Sequence, residues 1–345
     1  MTLTTVGRAG GAGLIALTMG EPAGIGGEIA LKAWAKRDHE IPPFFVIDDP
    51  GRLEKIASTL NLDTPVRAIG SPTEAAAVFA SALPVLETPL PVDVVPGHPD
   101  PANADTVKGA IETAVRLVTS GQALALVTNP IHKGTLYAGG FRFPGHTEYL
   151  AALAEIDTAP VMMLASPDLR VVPVTVHVSL ADALAQLNTG SITHAGLVTA
   201  AALGQDFGIT RPRLAVAGLN PHAGENDAMG SEETQIIAPA IEALKEAGID
   251  AFGPVPPDAL FTPGMRKTYD AAICMYHDQA LIPIKAIAFD DAVNVTLGLP
   301  FVRTSPDHGT AFDIAGQGKA DESSLIAALK MAAAMVHNRA AAQAA

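Results

Sequence analysis

The chain has one cysteine, Cys274, in 345 residues. A single thiol can form neither an internal disulfide nor a cysteine-based zinc cluster, and it suits a reducing compartment. Charged residues are sparse at 17%, no Lys/Arg-rich run occurs, and 36 acids against 22 Lys and Arg leave a net charge of −14. A protein that grips nucleic acid needs a positive face, so neither nucleic acid nor an anionic membrane is an expected partner. No stretch reaches the roughly 18 apolar residues of a membrane span. Met1 to Gly13 is Gly-rich and lacks the apolar core of a signal peptide. A cytoplasmic protein is the expectation. Two nucleotide motifs are missing as well. The glycines of Gly20 to Gly27 are not followed by the Lys-Ser/Thr pair of a P-loop. No G-x-G-x-x-G occurs, which counts against an ordinary dinucleotide domain.

Apolar residues are plentiful, at 48%. That is ample for a large core, and the length suggests about two domains. Short apolar runs alternate with helical patterns. Strands are expected at Leu14–Thr18, Phe44–Asp48, Ala123–Thr128, Val161–Ala165, Val171–Val176, Leu214–Leu219, Ala271–Met275 and Val293–Leu297. Helices are expected from Glu28 to Arg37, after Pro50, and from a cap at Asp105 or Thr106, where Val107, Ala110, Ile111, Ala114, Val115 and Val118 recur at helical spacing. Further helices should fill Leu180–Leu187, Ile192–Leu203, Glu232–Ala247 and Ser323–Ala342, the last a plain packing helix. The Pro-rich stretch Leu83 to Pro101 reads as an irregular connection. The alternation argues an α/β fold with a largely parallel sheet, the chain crossing between two lobes more than once.

Gly20 to Gly27 follows a strand and opens a helix. It could cradle an anion on backbone N–H groups, or be a tight turn that needs positive φ. Of the ten histidines, His39, His98, His194 and His337 read as surface residues. His177, His222 and His277 each sit just past the C-terminal end of an expected strand. In an open α/β sheet that edge is where ligands bind. Three neutral imidazoles with an open position suit zinc and other borderline divalent metals; a hydrogen-bonded structural role is the alternative for each. His146 and Thr147 open a helix, and Lys285, Asn294 and Arg303 lie near strands in the last third. Converging, such groups would neutralise a phosphate or carboxylate; scattered, they would be surface charges.

Together these segments resemble the 4-hydroxythreonine-4-phosphate dehydrogenase family of vitamin B6 synthesis. The matching pieces are Thr18–Gly26, Thr128–Lys133, Phe143–Glu148, Leu219–Glu225, Met275–Gln279 and Val293–Gly318, in order, over about residues 14 to 325. The segment His308–Gly316 is also similar to the nucleotide loop of isocitrate and isopropylmalate dehydrogenases, which bind NAD without a Rossmann fingerprint. The resemblance implies an isocitrate/isopropylmalate dehydrogenase-like α/β fold. It would have two lobes, 1–145 with 290–345 and 146–289, and an active site in the cleft. It implies metal ligation by His177, His222 and His277. It places substrate on His146, Thr147, Lys285, Asn294 and Arg303, and the nucleotide on His308, Gly309, Thr310 and Ala311. Lys285 or Asp258 would relay the proton. The cofactors implied are NAD, with NADP as the alternative, and one divalent ion, zinc before magnesium or cobalt. The expected reaction oxidises the C3 hydroxyl of 4-phosphooxy-L-threonine and decarboxylates the product to 3-amino-1-hydroxyacetone 1-phosphate, within pyridoxine 5'-phosphate biosynthesis. The implied assembly is a homodimer with His277 contributed across the interface.

The chain departs from the family pattern at Gly27, at Pro257 and Ala259 around Asp258, and at Ala288, Asp290 and Asp291. The acidic pair bears on the substrate rim. A paralogous dehydrogenase for threonate or erythronate phosphate, or for a dihydrodiol, is the rival within the group. A metal-dependent lyase or hydrolase is the rival from another class, and a phosphometabolite-binding protein is a third.

Overall fold

The computed structural model describes residues 14–37, 41–143 and 145–344. The reading of Met1 to Gly13, His39 as a surface residue, and Pro144 of the Phe143–Glu148 segment lie outside the described residues. In chain order the strands are β1 (Leu14–Thr18), β2 (Phe44–Asp48), β3 (Val66–Ile69), β4 (Leu83–Glu87), β5 (Ala123–Thr128), β6 (Val161–Ala165), β7 (Arg170–Thr175), β8 (Arg213–Ala217), β9 (Asp250–Val255), β10 (Ala271–Tyr276), β11 (Val293–Leu297) and β12 (Arg303–Pro306). The chain forms two compact units, Met1–Ala154 with Pro300–Ala333, and Glu155–Leu299 with Ala334–Ala345.

Unit 1 orders its strands β3-β4-β2-β1-β5-β12, all parallel. β1 and β2 are buried along their whole length, as befits parallel strands covered on both faces. The helix Ala104–Thr119 packs on β1 and β5 and buries all six residues its spacing singled out. Each of the larger ones, such as Ile111, contributes roughly 1.5–3 kcal/mol by leaving water. Its start differs from expectation. Asp100 caps the short turn Pro101–Asn103 by accepting from Ala102 N–H, and that turn runs straight into the helix. Asp105 and Thr106 therefore lie inside the helix. Leu83 to Pro101 is not wholly irregular either. Leu83 and Val85 are fully buried, and Leu83 N–H reaches Pro65 O at 2.8 Å. Pro84 therefore sits in a strand despite lacking a donor.

Unit 2 orders its strands β11-β6-β7-β10-β8-β9. β6 runs antiparallel to both neighbours, and the rest are parallel. Its core joins Leu164, Val171, Ala215, Ala272, Cys274 and Ile284. Burial pushes the Cys274 thiol up, which keeps it inert. The helix expected over Glu232–Ala247 comes in two pieces, a π-helical turn Glu233–Ile237 and an α-helix Ala238–Glu246. Pro239 explains the change: it has no N–H and its ring crowds the carbonyl four residues back, so the turn before it widens.

Candidate active site

Unit 1 brings Arg303 and His146 together near the C-terminal end of β5. β12 lies beside β5 with Arg303 opposite Leu126. That register lets Arg303 Nη2 donate to Thr128 Oγ1 at 2.7 Å. Arg303 is buried, and burial pulls its pKa down to about 10, so it remains a cation at neutral pH. His146 is the first residue of the helix His146–Leu153. Its Nε2 is buried with no hydrogen-bond partner among the described residues. Burial first, then the charges of Arg303 and Lys133, hold its pKa well below the usual histidine value. A neutral imidazole between two cations is a donor waiting for an anion. Thr147 follows it, half-buried, in the first turn of the same helix. Lys133 is the residue the sequence reading missed. It lay inside the quoted segment Thr128–Lys133, and its Nζ would stand 3.5 Å from a Cβ placed on Gly145, at the start of the His146 helix.

The segment expected to hold nucleotide belongs to the same unit. Thr310 O accepts from Ile25 N–H at 3.1 Å, and a Cβ on Gly24 would meet that oxygen at 2.8 Å. Ala311 has φ +46°. His308 Nδ1 lies 2.9 Å from Gly309 O, while its Nε2 is buried without a partner among the described residues. The Gly20–Gly27 turn is therefore a docking turn. Gly20 has φ +68°, and the amides of Glu21, Ala23, Gly24 and Ile25 are used by Pro130 O, Glu21 Oε1, Glu21 O and Thr310 O. Of its two readings, the tight turn is the one seen. Beside it opens a cavity of about 590 Å³ lined by Pro22, Gly24, Glu28, Ile56, Leu90 and Gly316 among others.

Unit 2 carries the three histidines. β10 is flanked by β7 and β8, all parallel, so their C-terminal ends share one edge. His177 leaves β7 with φ +55° and is exposed. His277 directly follows β10 and opens the helix His277–Ile287. The two rings lie 5.8 Å apart, centroid to centroid. Asp278 Oδ1 is 2.7 Å from His277 Nδ1. With Nδ1 donating to that carboxylate, Nε2 keeps the lone pair that a metal takes. A cavity of about 160 Å³ lies against both histidines, Tyr276 and Asp278. His222 follows β8 on an exposed loop with φ +53°. Among the described residues, no three His, Cys, Asp or Glu side chains gather around one point. The His177–His277 pair offers imidazole donors of the type a divalent ion takes, and His222 stands on the adjoining strand end. Lys285 is half-buried in the last turn of the His277–Ile287 helix. Asn294 is half-buried on β11, opposite Leu164, and Asp258 is exposed in the short helix Pro257–Leu260.

Residues 40–332 match the model of the family described as pyridoxal phosphate biosynthetic protein PdxA. The chain belongs to the PdxA family. A relative named 4-hydroxythreonine-4-phosphate dehydrogenase from Bradyrhizobium diazoefficiens is 54% identical over 333 residues, covering 93% of this chain and 96% of the relative. One of the same name from Caulobacter vibrioides is 52% identical, covering 94% and 98%. The crystal structure of 4-hydroxythreonine-4-phosphate dehydrogenase from Klebsiella pneumoniae superposes with a TM-score of 0.84 at 37% identity, over 94% of this chain and all of that one. The mixed α/β architecture is thus the PdxA architecture, and the proteins it resembles are oxidoreductases by name. Among the described residues no helix is long and apolar enough to cross a membrane.

Proposed function

We propose that this chain oxidises the C3 hydroxyl of 4-phosphooxy-L-threonine with NAD, and that the resulting β-keto acid loses CO2 to give 3-amino-1-hydroxyacetone 1-phosphate. The observation that carries this is the meeting of Arg303, Lys133 and a neutral His146 in unit 1. A dianionic phosphoester needs cations and donors, and this group supplies both, with Arg303 and His146 Nε2 out of water. It favours a phosphorylated acid over the non-phosphorylated dihydrodiol.

Arg303, with Thr128 fixing one nitrogen, would hold the phosphate from one side, while His146 Nε2 and the Thr147 hydroxyl donate from the helix start. Lys285 and Asn294 would orient the carboxylate end, and Lys285 or Asp258 would take the hydroxyl proton. NAD, with NADP as the alternative, would lie along His308, Gly309, Thr310 and Ala311. The cavity beside the Gly20–Gly27 turn, on which Thr310 docks, has a volume typical of small-molecule sites. A divalent ion, zinc before magnesium or cobalt, would be held by His177, His222 and His277; when bound, it supplies Lewis-acid polarisation of the C3 oxygen. The homodimer with His277 contributed across the interface draws support from exposed apolar side chains next to these histidines, Val178, Leu180 and Leu184. Cytoplasmic location stays part of this reading.

Purified protein with NAD, a divalent ion and 4-phosphooxy-L-threonine is expected to generate NADH and CO2. No turnover with that substrate, alongside turnover of threonate or erythronate phosphate, would move the assignment to the paralogue. NADH-free breakdown of the substrate would favour the lyase.

A further inference from the structure

We infer that Glu233 is a positioning residue for His222. The inference rests on the proposed metal role of His222. The six consecutive residues from His222 to Asp227 all have positive φ: 53°, 51°, 78°, 43°, 56° and 69°. Only Gly224 is a glycine. L-residues avoid this region because Cβ crowds the following carbonyl. A run of five in one short turn persists only where the surroundings over-determine it, and such strain gathers at functional corners.

Glu233 is what over-determines it. The residue is 3% exposed and opens the π-helical turn Glu233–Ile237. Its Oε1 accepts from the N–H of Leu219 at 2.8 Å and of Asn220 at 2.7 Å. Its Oε2 accepts from Asn220 Nδ2 at 2.9 Å. The carboxylate also packs against the middle of the turn and the strand end before it, for a Cβ on Gly224 would lie 2.7 Å from Oε2 and one on Gly218 would lie 3.3 Å from Oε1. A buried carboxylate is tolerated only when it is fully hydrogen-bonded. Here three donors, all from the stem of the His222 turn, satisfy it. Glu233 opens a π-turn, a feature that recurs at functional sites. Glu233 thus works through the loop stem, fixing the backbone from which the imidazole projects.

The test uses the full chain stripped of metal. Cobalt(II) and zinc dissociation constants, the cobalt visible spectrum and the metal-free unfolding midpoint are measured for wild type, His222→Ala, Glu233→Ala, Glu233→Gln and the His222→Ala/Glu233→Ala double variant. Glu233→Ala should weaken metal binding about 10–100-fold, the usual effect of losing an outer-shell partner, with the cobalt d–d bands shifted toward those of His222→Ala. Glu233→Gln should recover most of the affinity, because its amide oxygen still accepts from both backbone N–H groups. The double variant should bind no more weakly than His222→Ala alone, since both changes remove one ligand. Additive losses, or wild-type affinity in Glu233→Ala despite a lower unfolding midpoint, would overturn the assignment and leave Glu233 a fold residue. If Glu233→Ala does not fold, Glu233→Asp, one methylene short, enters the same cycle with the same expectations. Equal metal affinity in wild type and His222→Ala would instead reject the metal reading itself, before any Glu233 variant is compared, and the inference with it.

Discussion

At Arg303 the guanidinium is buried and tied to Thr128. Arg303→Lys keeps the charge but loses the fork that reaches two acceptors at once. KM for the phosphorylated substrate should rise on the order of tenfold to a hundredfold, equivalent to about 1.5–3 kcal/mol for a charged hydrogen bond, while zinc affinity stays at the wild-type value. Steady-state kinetics beside a metal titration checks this. His146 carries a pH signature. Its folded pKa lies well below 6.5, through burial and then the Arg303 and Lys133 charges. Between those two values the unfolded chain binds a proton that the folded chain does not. Stability should therefore fall as pH drops below about 6.5, at up to about 1.4 kcal/mol per pH unit. His146→Gln should flatten that slope in denaturant melts run from pH 7 to 5. Arg303 and His146 were legible as residue types near strand and helix ends. That they face each other was not, because 157 residues of chain separate them and no spacing rule reaches so far. Lys133 escaped because one Lys in an apolar segment has no local mark that distinguishes it from a solvated charge.

Among the elements, the strands that sequence showed best were those with continuous apolar runs, such as β1, β2 and β5. β3, a four-residue strand interrupted by Arg67, was invisible, and so were β4, β9 and β12, for reasons particular to each. Pro84 disguised β4, Gly253 and Pro254 broke the apolar run of β9, and Arg303 and Ser305 gave β12 a polar face. The histidine-bearing strand ends were legible because a parallel strand ends where its apolar run ends. The turn His222–Asp227 was not, since left-handed backbone leaves no trace in residues such as Ala223 and Glu225. A prediction belongs to the Gly24–Thr310 contact. In Gly24→Ala the new methyl would meet Thr310 O at 2.8 Å. The segment proposed to hold nucleotide must then move outward, so KM for the nicotinamide cofactor should rise several-fold more than KM for the phosphorylated substrate. Stability should drop by about 1–3 kcal/mol, as for overpacking in a filled site. Paired kinetics and a urea melt read both.

For the whole molecule, the proposed dimer makes a sharp complementation test. His222→Ala and His277→Ala chains are each expected to be inactive alone. If His277 crosses to the other copy, a hybrid of the two has one site with its full set of imidazoles, and an equimolar mixture refolded together recovers about a quarter of wild-type activity, by the statistics of pairing in a two-fold dimer. No recovery would mean that each chain completes its own site, as the 5.8 Å His177–His277 pair within one chain would allow. Leu180→Lys, which charges a residue 66% exposed on an apolar helix face with Leu184, should shift sedimentation toward the monomer.

The chain order of the strands also sets a timetable for synthesis. Unit 1 is begun by β1 to β5, yet its sixth strand, β12, comes only after all of residues 155–299 have been made. On the ribosome the nascent first half must wait, its β5 edge uncovered, while the intervening unit has its whole length available to fold. Arg303 arrives with that late strand. The polypeptide acquires its proposed phosphate-binding cation only when translation is nearly over, so a truncated product ending before residue 303 is a chain with an open sheet edge and without the arginine proposed to hold its substrate.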